Sequence, residues 1–213
     1  DFKGQYFHSA RWDHSIDLTG KRVGVVGIAA SACQFVPEIA KQAGELFLYQ
    51  RTANWVVPKP NTPYTEAELE HFRNNPQTVK DSREQLYDTW NTLCTFQQKD
   101  VLADIERAGL AMIAEVKDAE TREKLTPNHP FGCKRPLFSD VYYPVFNRDN
   151  VNLVTTDIER ISANGVVTSD GECHAIDVLI YSTGFETTTY LNAIEVSGRN
   201  GRSLREAWDD GAQ

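Results

Sequence analysis

Three short stretches of this 213-residue chain bring together side chains that could do chemistry. The first, Gly27-Ile28-Ala29-Ala30-Ser31-Ala32, is a variant of G-x-G-x-x-G/A. In that pattern the first glycine makes a tight turn, the second lets a diphosphate approach the backbone, and a small third residue packs helix on strand. The helix start then offers unpaired N–H groups to an anion. Ala29 stands at the second position, so one methyl group intrudes where a nucleotide comes closest. The second stretch is Gln50-Arg51-Thr52, and it carries no carboxylate before Glu66. An NAD site places Asp or Glu there for the ribose 2′-hydroxyl, whereas Arg accommodates the 2′-phosphate of NADP. Arg51 can fork onto that phosphate while Thr52 donates a hydroxyl hydrogen bond, so NADP(H) is expected. The third stretch, Gly132-Cys133-Lys134-Arg135, places two cations side by side. On residue type alone each motif has a plainer reading: a packed strand–helix turn, a solvated arginine and a solvated basic pair.

These stretches need elements to position them. Lys21 to Gly27 is a short apolar run between glycines and reads as a buried strand. Ala30 to Ala43 reads as a helix closed by Gly44, with Pro37 as an interior kink. Glu45 to Arg51 reads as a second strand, which completes a right-handed parallel βαβ unit. Pro58, Pro60 and Pro63 mark a loop, after which residues 65–125 show helical spacing. Leu86, Trp90 and Leu93 share one face there, and Leu102, Ile105, Leu110 and Ile113 another, which predicts two or three inserted helices. Trp90, Phe96 and Met112 are expected in the core rather than lining a pocket. Pro127 and Pro130 end this region. Beyond Val151 the chain turns β-rich: 151–155, 158–161, 165–168, an Asp170-Gly171 hairpin turn, and the nearly continuous apolar run 177–183, a central parallel strand. The fold class expected is α/β, a Rossmann-like parallel sheet with a helical insertion and a small β-meander or hairpin.

Composition narrows the classes. A hydrophobic share of 40% and a charged share of 24% are ordinary for a globular protein. The formal charge of −8 opposes non-specific nucleic-acid binding, so the cations at 51, 134 and 135 must serve something local. The longest apolar run, Val23 to Cys33, is too short to span a bilayer, and residues 1–20 show no secretion signal. Cys33, Cys94, Cys133 and Cys173 lie far apart with no C-x-x-C pair. Buried free thiols in a cytoplasmic protein without a metal site are the expectation.

A wider pattern joins the motifs. Phe2-x-Gly4-x3-His8-x3-Trp12 precedes the first strand. Gly132-x-Lys134-Arg135 follows the helical region, and Tyr142-Tyr143 and Asn147-Arg148-Asp149-Asn150-Val151 come after it. Tyr181-Ser182-Thr183-Gly184-Phe185 and Gly198 to Leu204 with Trp208 complete the series. Together they resemble the Baeyer–Villiger monooxygenases, flavin enzymes that convert ketones to esters or lactones, and the resemblance runs from residue 2 to about residue 211. Ser182 departs from the family's Ala.

The resemblance implies that Lys134 is a second ligand of the NADP 2′-phosphate. It implies that Arg135 is the catalytic arginine, facing the flavin peroxide anion and the oxyanion of the ketone adduct. Guanidinium suits that role because it stabilises an anion without surrendering its proton. Gly27, Ala29, Ala30, Ser31, Arg51, Thr52, Lys134, Thr183 and Gly184 are then the cofactor-binding set. His8 and Trp12 are linker residues, a structural histidine being at least as expected as a catalytic one. The implied cofactors are NADP(H) and FAD, the implied partners a small carbonyl substrate and O2. The family's flavin-binding glycine fingerprint does not occur here, so the chain resembles the NADPH-binding middle of such an enzyme, inactive without the FAD-binding domain. The organisation expected is a linker over 1–20, a first βαβ unit over 21–60, and the helical insertion over 61–130. The rest of the nucleotide domain follows over 131–185, then a return segment over 186–213. Two alternatives stay open: a related flavin monooxygenase acting on nitrogen or sulfur, and a nucleotide-binding module without redox activity.

Overall fold

The computed structural model describes residues 2–59, 61–185 and 194–208. Asp1, Pro60 and two stretches of the predicted return segment, 186–193 and 209–213, lie outside the described residues. The chain forms two units, residues 1–182 and 183–213.

The first unit is a mixed α/β structure. Its strands are β1 (Gln5–His8), β2 (Arg22–Val26), β3 (Glu45–Tyr49), β4 (Val56–Val57), β5 (Leu137–Phe138), β6 (Val151–Val154), β7 (Ile158–Ile161), β8 (Gly165–Thr168), β9 (Cys173–Ala175) and β10 (Val178–Tyr181). Its helices are α1 (Ala30–Ile39), α2 (Glu66–Asn74), α3 (Pro76–Cys94), α4 (Lys99–Ile113) and α5 (Ala119–Leu125). Five strands make a parallel sheet in the order β1-β10-β2-β3-β6. Val23, Val25, Leu46, Leu48, Val178 and Ile180 are sealed in its core, which accounts for the near-continuous apolar runs of β2, β3 and β10. The unit β2–α1–β3 is the βαβ crossover expected from the sequence, with Val23 paired to Leu46 and Val25 to Leu48.

α1 docks Ala32, Cys33, Val36 and Ile39 on that sheet, positions one helical face apart. It stops at Ile39, short of the expected Ala43. Pro37 lies inside the helix, which continues past it with the Ala40 N–H bonded to the Val36 carbonyl at 3.0 Å. Irregular turns carry the chain on, with Ala43 N–H bonded to the Ile39 carbonyl. Gly44 is therefore no helix cap. It lies against the Gly20 backbone, where a Cβ would fall 2.6 Å from the Gly20 oxygen. β1 was not foreseen as a strand: residues 1–20 read as a linker, yet Gln5–His8 form the sheet's parallel edge against β10.

The insertion holds four helices rather than two or three. Thr65 and Glu68 close a reciprocal capping box on α2, and Pro76 opens α3 at its first turn, where its missing N–H costs nothing. α4 seats Leu102 and Ile105 against Trp55, Val57 and Phe131. Four expectations fail here. Leu86 and Trp90 of α3 are exposed, as is Leu110 of α4, whose packing place is taken by Gly109 against the Trp55 ring. Phe96 is exposed as well, while Met112 does pack on the core.

β7, β8 and β9 form a separate antiparallel sheet, turned at Asp170-Gly171 with Thr168 Oγ1 bonded to the Asp170 carboxylate at 2.7 Å. It attaches to the parallel sheet through Val166, Ile176, Leu179 and Tyr49, and the Tyr49 hydroxyl meets His174 Nδ1 at 3.1 Å. The second unit contains one short helix among its described residues, α6 (Leu204–Ala207). Among the described residues no helix is long and apolar enough to cross a membrane.

Candidate functional site

The C-terminal ends of β2 and β10 lie side by side, with Val26 opposite Tyr181. β2 leads through α1 to β3 on one flank, while β10 and β1 occupy the other. Open α/β sheets take their ligands outside the carboxyl ends of such strands. At the end of β2, Gly27 adopts φ +102, a conformation costly for any side chain, and its N–H bonds to the Tyr49 carbonyl at 3.1 Å. Ala29 is the extended residue before α1 and supplies no side-chain cap, and no acidic residue occupies the first turn. The first-turn N–H groups, those of Ala30 and Ser31 among them, have no partner within the helix. Ala29, Ala30 and Ser31 are all exposed, so an anion can reach this end, with the Ala29 methyl facing solvent beside it.

Arg51 and Thr52 follow β3 on a loop that is fastened to residues 124–139. Gln50 Nε2 donates to the Lys124 carbonyl at 2.6 Å, Trp55 Nε1 to the His129 carbonyl at 2.8 Å, and Asn54 Nδ2 to the Arg135 carbonyl at 3.0 Å. β4 then pairs in parallel with β5, Val56 opposite Leu137. The loop holding Arg51 and the stretch holding Lys134 and Arg135 are thus neighbours, although 83 positions separate the first two residues in sequence. Gly132, at φ +90, lets this stretch turn beneath Phe96, where a Cβ would fall 2.5 Å from the ring. Arg51, Lys134 and Arg135 are exposed. None of the three forms an ion pair with a carboxylate among the described residues, whereas Arg22 pairs with Asp177 at 2.6 Å. Thr183 and Gly184 belong to the second unit, where both are exposed and Gly184 has φ +86.

Packing explains most of the other motif residues. A Cβ on Gly4 would lie 2.5 Å from the Asp177 carbonyl, which accepts the Gln5 N–H. Trp12 sets its ring edge-on between Phe7 and Phe35, at 4.9 and 5.1 Å. His8 Nδ1 accepts the Ala10 N–H and starts a 3-10 turn. Asn147 bonds the backbone at Glu115 and Lys117, just after α4. Asn150 donates to the Ala40 and Ala43 carbonyls, just after α1, groups a helix end leaves unpaired. Tyr142 and Tyr143 are sealed beside Cys33.

Cys33 is the buried thiol expected, pushed up to about 11 by burial against a weaker opposing bond from Ser139. Cys133 and Cys173 are exposed, contrary to expectation. Gln50, Asn54 and Trp55, which fasten the two halves of the site, were missed. A polar residue that bonds a distant carbonyl leaves no periodic signal in sequence. Among the described residues no cluster of His, Cys, Asp or Glu is placed to hold a metal ion.

Comparison with known proteins follows the same lines. The family described as flavin-binding monooxygenase-like matches residues 1–72. A Baeyer–Villiger monooxygenase of Pseudomonas aeruginosa is 40% identical over 100% of this chain, which spans 41% of that relative. The chain is similar to Baeyer–Villiger monooxygenases along its whole length. Two solved structures agree with it in fold. A steroid monooxygenase in its oxidised form with NADP bound superposes with a TM-score of 0.80 at 31% identity, covering 100% of this chain and 48% of its own. The protein OTEMO, in complex with FAD and NADP, gives a TM-score of 0.79 at 32% identity, covering 99% and 48%. The chain spans less than half the length of each of these relatives. Its residues fit an NADP-type nucleotide: a left-handed glycine turn, a helix start without an acidic cap, and unpaired cations beside the next strand.

Proposed function

We propose that this chain is the NADPH-holding portion of an FAD- and NADPH-dependent monooxygenase that inserts one oxygen atom of O2 into a ketone. One observation carries the reading: the Arg51 loop and the Lys134-Arg135 stretch are fastened together through Asn54 and the β4–β5 pair. When bound, NADPH supplies hydride and FAD the centre at which oxygen is activated. The Gly27 turn and the α1 start hold the diphosphate through N–H groups and the helix dipole. Arg51 and Lys134 grip the 2′-phosphate, and Thr52 adds a hydroxyl donor. Arg135, next to a gripped Lys134, directs its guanidinium to the reacting oxygen. There it stabilises negative charge without protonating it. A small carbonyl compound and O2 are the remaining reactants, and the flavin-binding portion is the structural partner.

Titration of the chain with NADPH and NADH tests the reading. NADPH is expected to bind more tightly, and Arg51→Ala to lower the ratio of affinities by about 10- to 100-fold, as loss of a charged hydrogen bond would. Equal affinities in the unsubstituted chain would reject the assignment. In a protein that also carries the flavin-binding portion, Arg135→Ala should keep NADPH-driven flavin reduction and lose ester product. Undiminished ester removes Arg135 from the chemistry.

A further inference from the structure

One side chain beside the cations is left without a role. Both ring nitrogens of His129 are sealed from solvent, and among the described residues neither has a hydrogen-bond partner. The residue as a whole is half-buried. An imidazole always carries at least one N–H donor, and a polar atom orphaned inside a native fold needs an explanation.

The surroundings narrow that explanation. Pro127 and Pro130 stiffen the chain on both sides of His129. Its carbonyl is fixed by Trp55 Nε1 at 2.8 Å, so the backbone is held and the ring can only turn about its own bonds. The segment carrying it runs along the Arg51 loop, bonded through Gln50 and Lys124 before it and through Asn54 and Arg135 after it. Burial first, and then the positive charge of Lys134, oppose protonation of the ring. The nearby carboxylate of Glu106 is already engaged by the Phe131 N–H at 2.7 Å. An unpartnered ring N–H near the positive charge of Lys134 fits an anion.

We propose that His129 is a third side-chain contact to the 2′-phosphate of the nucleotide, donating a ring N–H beside Lys134. The assignment rests on the reading that Arg51 and Lys134 hold that phosphate. A turn of the ring toward the bound anion would satisfy a nitrogen that has no partner otherwise.

The probe is adenosine 2′,5′-bisphosphate, with adenosine 5′-monophosphate as the control, titrated into the full chain labelled with nitrogen-15 at histidine. The His129 ring-nitrogen resonances should move with the bisphosphate and stay in place with the monophosphate. His129→Phe should weaken bisphosphate binding about 10-fold and leave monophosphate binding unchanged. Resonances that do not move, or a Phe variant with undiminished bisphosphate affinity, overturn the proposal. If the Phe variant does not fold, the resonances of the unsubstituted chain decide alone. A chain that does not prefer the bisphosphate at all rejects the NADPH reading, and His129 with it. A preference that falls with Arg51→Ala but survives His129→Phe rejects His129 alone.

Discussion

The parallel sheet with α1 and the helical hairpin α2–α3 hold their shapes by different means. In the sheet, Val23, Val25, Leu46 and Leu48 are fully sealed, and each strand is defined by neighbours far away in sequence. In the hairpin, α2 contains no buried residue among those described, and α3 leaves Val79, Leu86, Tyr87 and Trp90 open to solvent. Trp90 still meets Phe138 of β5 edge-on at 5.5 Å. The hairpin is supported mainly by local devices, the Thr65–Glu68 box and the Arg73–Glu66 pair at 2.8 Å. A helical stripe of apolar residues therefore reports a face that can pack, and packing requires a neighbour.

Substituting one leucine in each region should break the comparison most clearly. Leu48→Ala opens a cavity in a close-packed core and should cost about 2–5 kcal/mol in urea unfolding. Leu86→Ala removes a side chain that water already surrounds and should stay within about 0.5 kcal/mol. Similar losses at both positions would mean that the α3 stripe is covered in solution and that the contrast is false.

The same contrast explains what was legible in the sequence. β2, β3 and β10 announced themselves because a strand buried on both faces is apolar throughout, and the βαβ unit followed from their spacing. The nucleotide turn was legible for a related reason, since Gly27 sits where φ must be positive. The closeness of Arg51 to Lys134 and Arg135 was not readable from spacing. It depends on a two-residue strand pair and on Asn54, Trp55 and Gln50, whose partners lie 74 to 81 positions away. Family resemblance supplied that link before the geometry did. β1 was missed because Gln5–His8 is only four residues long, is polar at both ends and bonds one strand only. The Asn147-to-Val151 motif carried the resemblance yet proves to be architecture, tying off the chain after α4 and α1.

Acid titration should separate the two regions by a smaller effect. Asp177 lies between β9 and β10 and accepts three bonds from Arg22, from its backbone N–H at 2.9 Å, Nε at 3.1 Å and Nη2 at 2.6 Å. Those bonds hold its carboxyl near a pKa of about 2, whereas an unfolded aspartate titrates near ~3.9. A depressed folded value means that the unfolded chain takes up the proton first. The stabilisation is complete above that ordinary range and drains away as pH falls toward 2. Because the pair is partly exposed, salt and solvent keep the effect small. Asp177→Asn should lower stability modestly at neutral pH and flatten the decline between pH 4 and 2 in urea unfolding. Glu68 of the α2 box is also held below the usual carboxylate range, by its bonds from the Thr65 backbone and hydroxyl. Its protonation loosens a helix end that buries nothing, so α2 amides should exchange faster over the same window with no matching change in global stability. A flat acid limb in the unsubstituted protein, or α2 exchange that tracks global unfolding, would show that sheet and hairpin melt as one unit.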